Sequence, residues 1–481
     1  MRNRSLALAI FLIVTSRTYG HVGSPDVYLD GQAGPYHILL TVTPPVMIPG
    51  VARVQARVVS GNVTNITVEP VYVNGKDQGL PPAPDSMQAA PGDAQSFTGS
   101  VWLMESGAWD IRVEVSGPEG IGKMAVPVAA YASRTLPMQK ALAVLLLGLM
   151  LFLAIGIVSI AGAAAREAVL SPGITASSKN HRSGRIAMAV ATVVVIALLA
   201  AGNWWWNVDA ADLKHTMLYN PPPLKLAFAA PDQLSLRIED NFWHSRRKTE
   251  WSMDLIPDHG HLIHAFLVRL PAMDRFYHLH PEQTSDGFAL QLPTMPGGKY
   301  KVFADIVRGT GFPETMVSEI DLPNVSGKPF AGDDSGVAVS EKPAPMNTSP
   351  LANGDRMVWD QDSSQLKAGQ LCWFRFHLED ARGKAMGNLE PYMGMAGHAE
   401  FVKSDQTVFA HIHPAGSVSM ASLMIAQKDS GLPMDHGLMN AIPAEVSFPY
   451  AFPQPGDYRL FVQMKRHGEI ETGVFDTHVT N

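Results

Sequence analysis

The sequence predicts a mainly β protein, with three antiparallel β-sandwiches and a two-helix transmembrane hairpin set between the first and the second. Three observations carry that prediction. Short stretches of alternating apolar and polar residues recur along most of the chain, separated by Gly, Pro, Asn and Asp, which is the cadence of half-buried strands and turns. Two uncharged apolar runs, residues 141–165 and 186–206, each supply the roughly 20 residues that a hydrocarbon core requires. A near-repeat, FYHLHPEQ from Phe276 and FAHIHPAG from Phe409, marks the two later units as copies of one another.

At the N-terminus, Arg2 and Arg4 precede the apolar run LALAIFLIV, and Thr18 and Gly20 are small residues where a signal peptidase inspects the chain. Residues 1–20 therefore read as a signal peptide, and the mature chain would begin at His21. Residues 21–135 hold HILLTVTPP, VARVQARVV, ITVEPVYV, SVWLM and WDIRVEV, a first sandwich. The hairpin follows over residues 136–206. Its connecting loop, residues 166–185, carries Arg166, Lys179, Arg182 and Arg185 against Glu167, while Trp204, Trp205 and Trp206 lie at the opposite end of the second run. Positive charge marks the cytoplasmic side and tryptophan the interface, so both flanking soluble regions face outward.

Residues 222–325 resume the strand pattern with LSLRIED, HAFLVRL, FYHLH, FALQL and KYKVFADIV. A stretch rich in Gly, Pro, Ser and Asp, residues 326–355, reads as a linker. Residues 356–481 repeat the pattern with LCWFRFHLED, HAEFV, VFAHIH and YRLFVQM. Three strands open alike, with Gly107, Gly298 and Gly456 each followed two positions later by an aromatic residue. LIPDHGHLIHAFLV from Leu255 aligns without a gap on LEPYMGMAGHAEFV from Leu389. All three units are expected to be Ig-like or cupredoxin-like sandwiches.

Composition narrows the function. With 481 residues, 46% of them hydrophobic, the chain can bury several cores. A net charge of −7 offers no basic surface to neutralise a phosphate backbone, which argues against a nucleic-acid partner. Cys372 is the only cysteine, so there is no disulfide framework and no CxxC site, and its alternating strand makes it a buried apolar thiol. No GxSxG, Walker, GxGxxG or HExxH motif occurs, so the chain does not read as an enzyme. A metal-dependent oxidase stands only as a minor reading that needs an open coordination position.

Alternate strand residues share a face, so His278 and His280 lie together, as do His411 and His413. Short turns, LPAMD and KSDQ, fold the preceding strands back and bring His264 level with the first pair and His398 level with the second. Each unit thus gains three converging imidazoles. Upstream, the second unit has His259 and His261 where the third has Met393 and Met395, an exchange that keeps metal-binding capacity while softening the ligands. Met420, Met424, Met434 and Met439 stand nearby with His436. Copper suits both sets, and zinc suits chiefly the imidazole one. His21, if it becomes residue one, would offer its α-amine and ring nitrogen to Cu(II), with His37 as a third nitrogen. The contrasting reading makes the histidines hydrogen-bonded structural groups and Met393 and Met395 core fillers.

The stretch HVGSPDVYLDGQAGPYHILLTVTPP, residues 21–45, resembles the YtkA-like and FixH-like extracytoplasmic β-sandwiches of bacteria. A chain beginning with His after its signal is similar to the CopC-like copper carriers. LEPYMGMAGHAEFV followed by FAHIHP resembles a motif that recurs in bacterial secreted and membrane proteins, some of them suspected of handling heavy metals, and that resemblance implies no established activity. The resemblance implies a protein of the bacterial cytoplasmic membrane with its soluble domains in the periplasm. The leading expectation is a membrane-anchored, copper-handling protein in contact with the lipid bilayer and a periplasmic or membrane protein partner. The alternative is an envelope scaffold whose Ig-like domains bind another protein.

Overall fold

Apolar residues at every second position give each strand one face to bury, and in the computed structural model these faces close into three two-sheet units. The structure describes residues 26–73, 81–247, 253–339, 347–351, 354–360, 366–433 and 442–481. The expected signal peptide, His21, Met434, His436 and Met439 lie outside the described residues. In the first unit, Val27–Ala33, Tyr36–Thr43, Gly50–Ser60, Asp93–Leu103 and Gln88–Ala90 form one sheet. Asp85–Ser86, Asn65–Val73, Gly107–Gly117 and Gly120–Ala130 form the other. Ile38, Val54, Ile66, Ile111 and Val126 meet between them.

The second unit pairs a sheet of Leu224–Ala229, Gln233–Ile238, Gly287–Gln291 and Glu282–Thr284 with one built around Gly298–Arg308, His264–Leu270 and Arg275–Leu279. The third unit repeats this. A sheet centred on Cys372–Glu379 faces Phe409–Ile412, His398–Lys403, Gly456–Arg466 and Glu469–Val479. The three strands that open with Gly-x-aromatic share one device. Trp109 Nε1 donates to Glu105 O at 3.0 Å, Tyr300 Oη to Pro296 O at 2.7 Å, and Tyr458 Oη to Gln454 O at 2.8 Å. Each ring is pinned to the carbonyl four residues upstream, a corner motif of Ig-like sandwiches.

Helices α1 (Lys140–Glu167) and α2 (Ser178–Thr216) are each long and apolar enough to cross a membrane, and their apolar side chains are exposed. They pack where two glycines meet. A Cβ on Gly162 would stand 2.4 Å from Met188 Cγ, and one on Gly184 would stand 3.0 Å from Gly162 O, so small residues set the close crossing. The observed turn between the helices is shorter than the expected loop of residues 166–185, because Ser177 caps α2 through the Asn180 amide and the helix starts early. At its far end α2 runs ten residues past the expected limit at Trp206, to Thr216.

The linker also holds strands. The stretch of residues 326–355 is not only a linker. Ser335–Ala338 adds a strand to Arg275–Leu279 of the second unit, and Thr348–Pro350 pairs with Arg356–Trp359 of the third. The second and third units also share an interface. Strands His264–Leu270 and His398–Lys403 are buried on both faces over most of their length, because the outer faces of their two sheets pack on each other.

That packing is reciprocal. Phe276 of the second unit stacks on Phe461 of the third, with centroids 4.3 Å apart and planes at 12°. Phe409 of the third stacks on Phe303 of the second at 4.2 Å and 7°. Phe276 and Phe409 hold equivalent places in the two copies, as do Phe303 and Phe461, so a pseudo-two-fold axis passes between them. Phe266, Val268, Val402 and Val474 complete the apolar patch.

A short helix, α3 (Phe242–Ser245), and α4 (Met420–Asp429) complete the fold. α4 joins all three units. Its Ala421 amide donates to Asp258 Oδ1 at 2.7 Å and its Ser422 hydroxyl to Gly311 O at 2.7 Å, both in the second unit. Its Met420 and Leu423 enter the first unit's core, and Arg112 donates to Asp429 O at 2.9 Å.

Phe461→Ala removes half of one stack and leaves a cavity, a loss of about 3–5 kcal/mol in a well-packed core. The expected outcome is faster proteolysis of residues 222–481 by pulse proteolysis in detergent, with residues 26–135 unaffected.

Candidate metal centre

The patch between the second and third units is apolar at one end and lined with imidazoles at the other, and strand register explains the split. His264, Phe266 and Val268 alternate onto the shared face, and Phe266 lies opposite His278 on the neighbouring strand. His398, Glu400 and Val402 do the same in the third unit, with Glu400 opposite His411. Phenylalanine therefore fills one end of the interface and histidine the other.

Among the described residues two groups of three histidines bring one nitrogen each within 4.8 Å of one another. They are His264, His278 and His280, and His259, His398 and His413. The first group is drawn wholly from the second unit. The second differs from the expected set of His398, His411 and His413, since His259 of the second unit takes the place of His411. The reason is a tight turn. Asp258 and His261 close it by paired backbone hydrogen bonds of 2.9 Å, with His259 and Gly260 both at positive φ, which is type I′ geometry. Its tip carries His259 across the interface. The third unit forms the same turn, closed by Tyr392 and Met395, with Met393 and Gly394 at positive φ.

The outer nitrogens show how the rings are held. His264 Nε2 donates to Asp258 O at 3.0 Å, His278 Nδ1 to Gln463 Oε1 at 2.9 Å, and His280 Nδ1 to Asp334 Oδ1 at 2.9 Å. In the second group His259 Nδ1 donates to Met393 O at 2.8 Å and His413 Nδ1 to Val418 O at 2.9 Å. A proton held outward leaves the opposite nitrogen as a bare lone pair facing inward, the arrangement that orients metal-ligating histidines. Most of those inward atoms lack partners among the described residues. His280 Nε2, His259 Nε2, His413 Nε2, His411 Nε2 and both nitrogens of His398 are buried with no hydrogen bond among the described residues. His264 Nδ1 and His278 Nε2 stand 3.1 Å apart. Two imidazole nitrogens on one ion at about 2.0–2.1 Å and a near-tetrahedral angle stand about 3.3 Å apart, so the spacing fits a shared cation.

His411 lies between the groups, with its ring 5.7 Å from His264, 5.5 Å from His398 and 4.6 Å from His413, and its Nδ1 on Asp305 Oδ2 at 3.2 Å. His261 is at the rim, half-buried, stacked on His280 at 3.8 Å and 3.3 Å from Asp333 Oδ2. The two upstream methionines do not act as the sequence suggests. Met395 is buried in the apolar cluster of the first unit, and Met393 contributes its carbonyl to His259. Met420 and Met424 sit in or against that same cluster.

His37 and His377 are held by carboxylates, at 2.6 Å from Asp30 Oδ1 and 2.6 Å from Asp360 Oδ2 respectively. Cys372 is half-buried rather than enclosed, at the edge of the third unit's core. The sequence reading missed Glu400. It is fully buried, its two oxygens have no hydrogen-bond partner among the described residues, and one lies 3.9 Å from His278 Nδ1. An acid in the middle of HAEFV, aligned with the Phe of HAFLV, was the available signal.

A second polar knot shows what a satisfied buried histidine looks like here. His244 Nε2 lies 2.5 Å from Glu314 Oε1, Arg308 Nε donates to Glu314 Oε2 at 2.7 Å, and Tyr219 donates to the same carboxylate at 3.1 Å. It ties the chain leaving α2 to the second unit.

These features define a class: a chain with two helices fit to span a membrane, three Ig-like antiparallel sandwiches, and a buried imidazole cluster able to hold metal. Residues 352–481, the third unit, match the family model described as a domain of unknown function, DUF8832. No curated protein matches the chain in sequence. Among solved structures, the D00-D0 domain of intimin aligns at 9% identity over 53% of this chain and 98% of its own, with a TM-score of 0.11. The ICAM-5 D1-D4 ectodomain fragment aligns at 8% identity over 92% and 82%, with a TM-score of 0.13. A putative membrane anchored protein from Corynebacterium diphtheriae aligns at 8% identity over 95% and 96%, with a TM-score of 0.14. At such scores none of them defines fold or function.

Burial first, and then neighbouring imidazoles, hold His264, His278, His280 and His398 below the ordinary histidine range, and burial does the same for His411 and His413. These rings stay neutral in the folded chain and charge in the unfolded one below about pH 6.5. Their stability contribution is thus complete above that pH and falls as pH drops below it, by at most about 1.4 kcal/mol per pH unit for a ring that stays neutral in the fold. Glu400, Asp305 and Asp334 are pushed up by burial, the two aspartates to about 6, and oppose part of the loss. Chelator-treated protein is expected to hold its melting temperature from pH 7.5 down to about pH 6.5 and to melt at steadily lower temperature from there to pH 5.5, and a profile flat to pH 5.5 would contradict the neutral buried imidazoles.

Proposed function

We propose that this is a membrane-anchored metal-binding protein of the bacterial envelope that holds copper between its second and third sandwiches. The observation that carries the reading is the set of buried imidazoles of which five commit an outer nitrogen to an oxygen acceptor, while the inner nitrogens of His259, His280 and His413 and both nitrogens of His398 have no hydrogen-bond partner among the described residues. A structural histidine would resemble His244, with both ring nitrogens satisfied. Leaving several buried nitrogens unpaired is costly unless a cation accepts them. This weighs against the scaffold reading.

Neutral nitrogen ligands suit copper and zinc alike, and copper heads the affinity order for such sites. With Met395 committed to the apolar core, the softness that sulfur would have added is absent from the site, so the preference for copper rests on that order. The N-terminal resemblance to YtkA-like and CopC-like proteins is in keeping with it. The residues that would hold the ion are His264, His278 and His280 in one group and His259, His398 and His413 in the other. Asp334, Gln463 and the carbonyls of Asp258, Met393 and Val418 orient them. What the metal supplies is binding capacity. The half-buried His261 beside Asp333 at the rim gives an arriving cation a first pair of ligands.

The hairpin would anchor these domains with the basic turn in the cytoplasm and the sandwiches outside. A protein partner in the envelope would then receive or deliver the ion.

Full-length protein in detergent, loaded with copper and dialysed, is expected to retain it stoichiometrically in preference to zinc. The double variant His280→Ala/His413→Ala should retain at least tenfold less. Wild-type protein with copper at background would refute the proposal, and zinc retained in place of copper would change the metal. For the topology, a Ser171→Cys reporter in a Cys372→Ser background should react with an impermeant maleimide only after the inner membrane is opened.

A further inference from the structure

The two groups of histidines need not be two separate sites. Within a group, ring centroids lie 4.7–5.4 Å apart. Between the groups, His259 is 6.1 Å from His264 and His278 is 6.3 Å from His398, only about an ångström more. His411 stands in the gap, within 6 Å of rings of both groups. It is wired like the others, with Nδ1 on a carboxylate and Nε2 buried and unpartnered among the described residues, yet it belongs to neither group.

Charge points the same way. Cations this close repel strongly in a buried setting and need anions beside them. Glu400 lies directly across the strand pair from His411, is fully enclosed, and has two oxygens with no hydrogen-bond partner among the described residues. Its counterpart in the second unit is Phe266, so packing alone is served by an apolar residue there. An unpaired carboxylate in that place is expensive unless positive charge arrives. Asp305, behind His411, and Asp258, beside His259 and His264, add further negative charge at the same interface.

We propose that the two groups form a single two-ion centre, in which His411 supplies an imidazole ligand between the ions and Glu400 supplies the carboxylate that lets both be held at once. This rests on the metal-binding reading above and adds to it the number of ions, their proximity and two residues that belong to neither group.

The test uses full-length detergent-solubilised protein titrated with Cu(II), with bound metal counted after gel filtration and examined by electron paramagnetic resonance. Wild type is expected to bind two ions per chain, and the two-copper form to show a dipolar-broadened spectrum with a half-field signal that the one-copper form lacks. Glu400→Gln, which keeps the shape of the side chain, should weaken the second ion at least tenfold and leave the first unchanged. His411→Ala should do the same. One ion per wild-type chain would overturn the two-ion centre. So would two ions with a spectrum that is the sum of isolated sites and with Glu400→Gln binding both as wild type does. No ion at all would overturn the metal-binding reading itself, a separate result.

Discussion

Everything at the candidate site depends on two pairs of phenylalanines. Phe276 on Phe461 and Phe303 on Phe409 press the outer faces of two sheets together, and offset aromatic stacks of this kind add to the apolar area they bury. A sheet that is covered on both faces cannot leave polar groups on either one unsatisfied without cost. The histidines sit on those same strands, a few residues further along. Without the stacks they would be ordinary exposed histidines at the end of a hairpin. With them, the rings lose water and must find another partner.

Loss of water also sets their chemistry. A buried imidazole is held neutral, which is the state in which it can donate a lone pair. The oxygen acceptors around the cluster, Asp334, Gln463 and three main-chain carbonyls, choose the nitrogen that keeps its proton. Several of these acceptors come from the opposite unit. His278 leans on Gln463, and His411 on Asp305, residues that occupy matching places in the two copies. Each unit therefore orients a ring of the other, and neither half-site is complete alone.

Much of the fold was legible in the sequence. Each of the fourteen alternating stretches falls mainly on a strand, and the gapless match of Leu255 onto Leu389 revealed the duplication. The hairpin pairing of His264 with its neighbours followed from turn length. What escaped was the encounter between the copies. Alternation tells which residues share a face, but not what that face meets. HAFLV and HAEFV did carry a clue, since an apolar run without alternation marks a strand covered on both sides. His259 was seen as a ligand, but its crossing to the other unit depends on a turn whose direction is set by two left-handed residues. Met395 takes the core role, one of the two that the sequence left open because thioethers serve cores and metals equally well, and α4 was not foreseen as the element that brings the first unit onto the third.

The pseudo-two-fold arrangement has a consequence for ancestry. Two identical chains meeting in this way would form an isologous dimer, in which every contact is made twice and each change appears on both sides at once. Joined in one polypeptide, the halves are released from that rule. His259 can face Met393, Asp258 can answer to Tyr392, and Glu400 can replace the phenylalanine kept at position 266. The chain behaves as a dimer whose partners have been allowed to specialise, and the asymmetry of its cluster is inherited through a single gene.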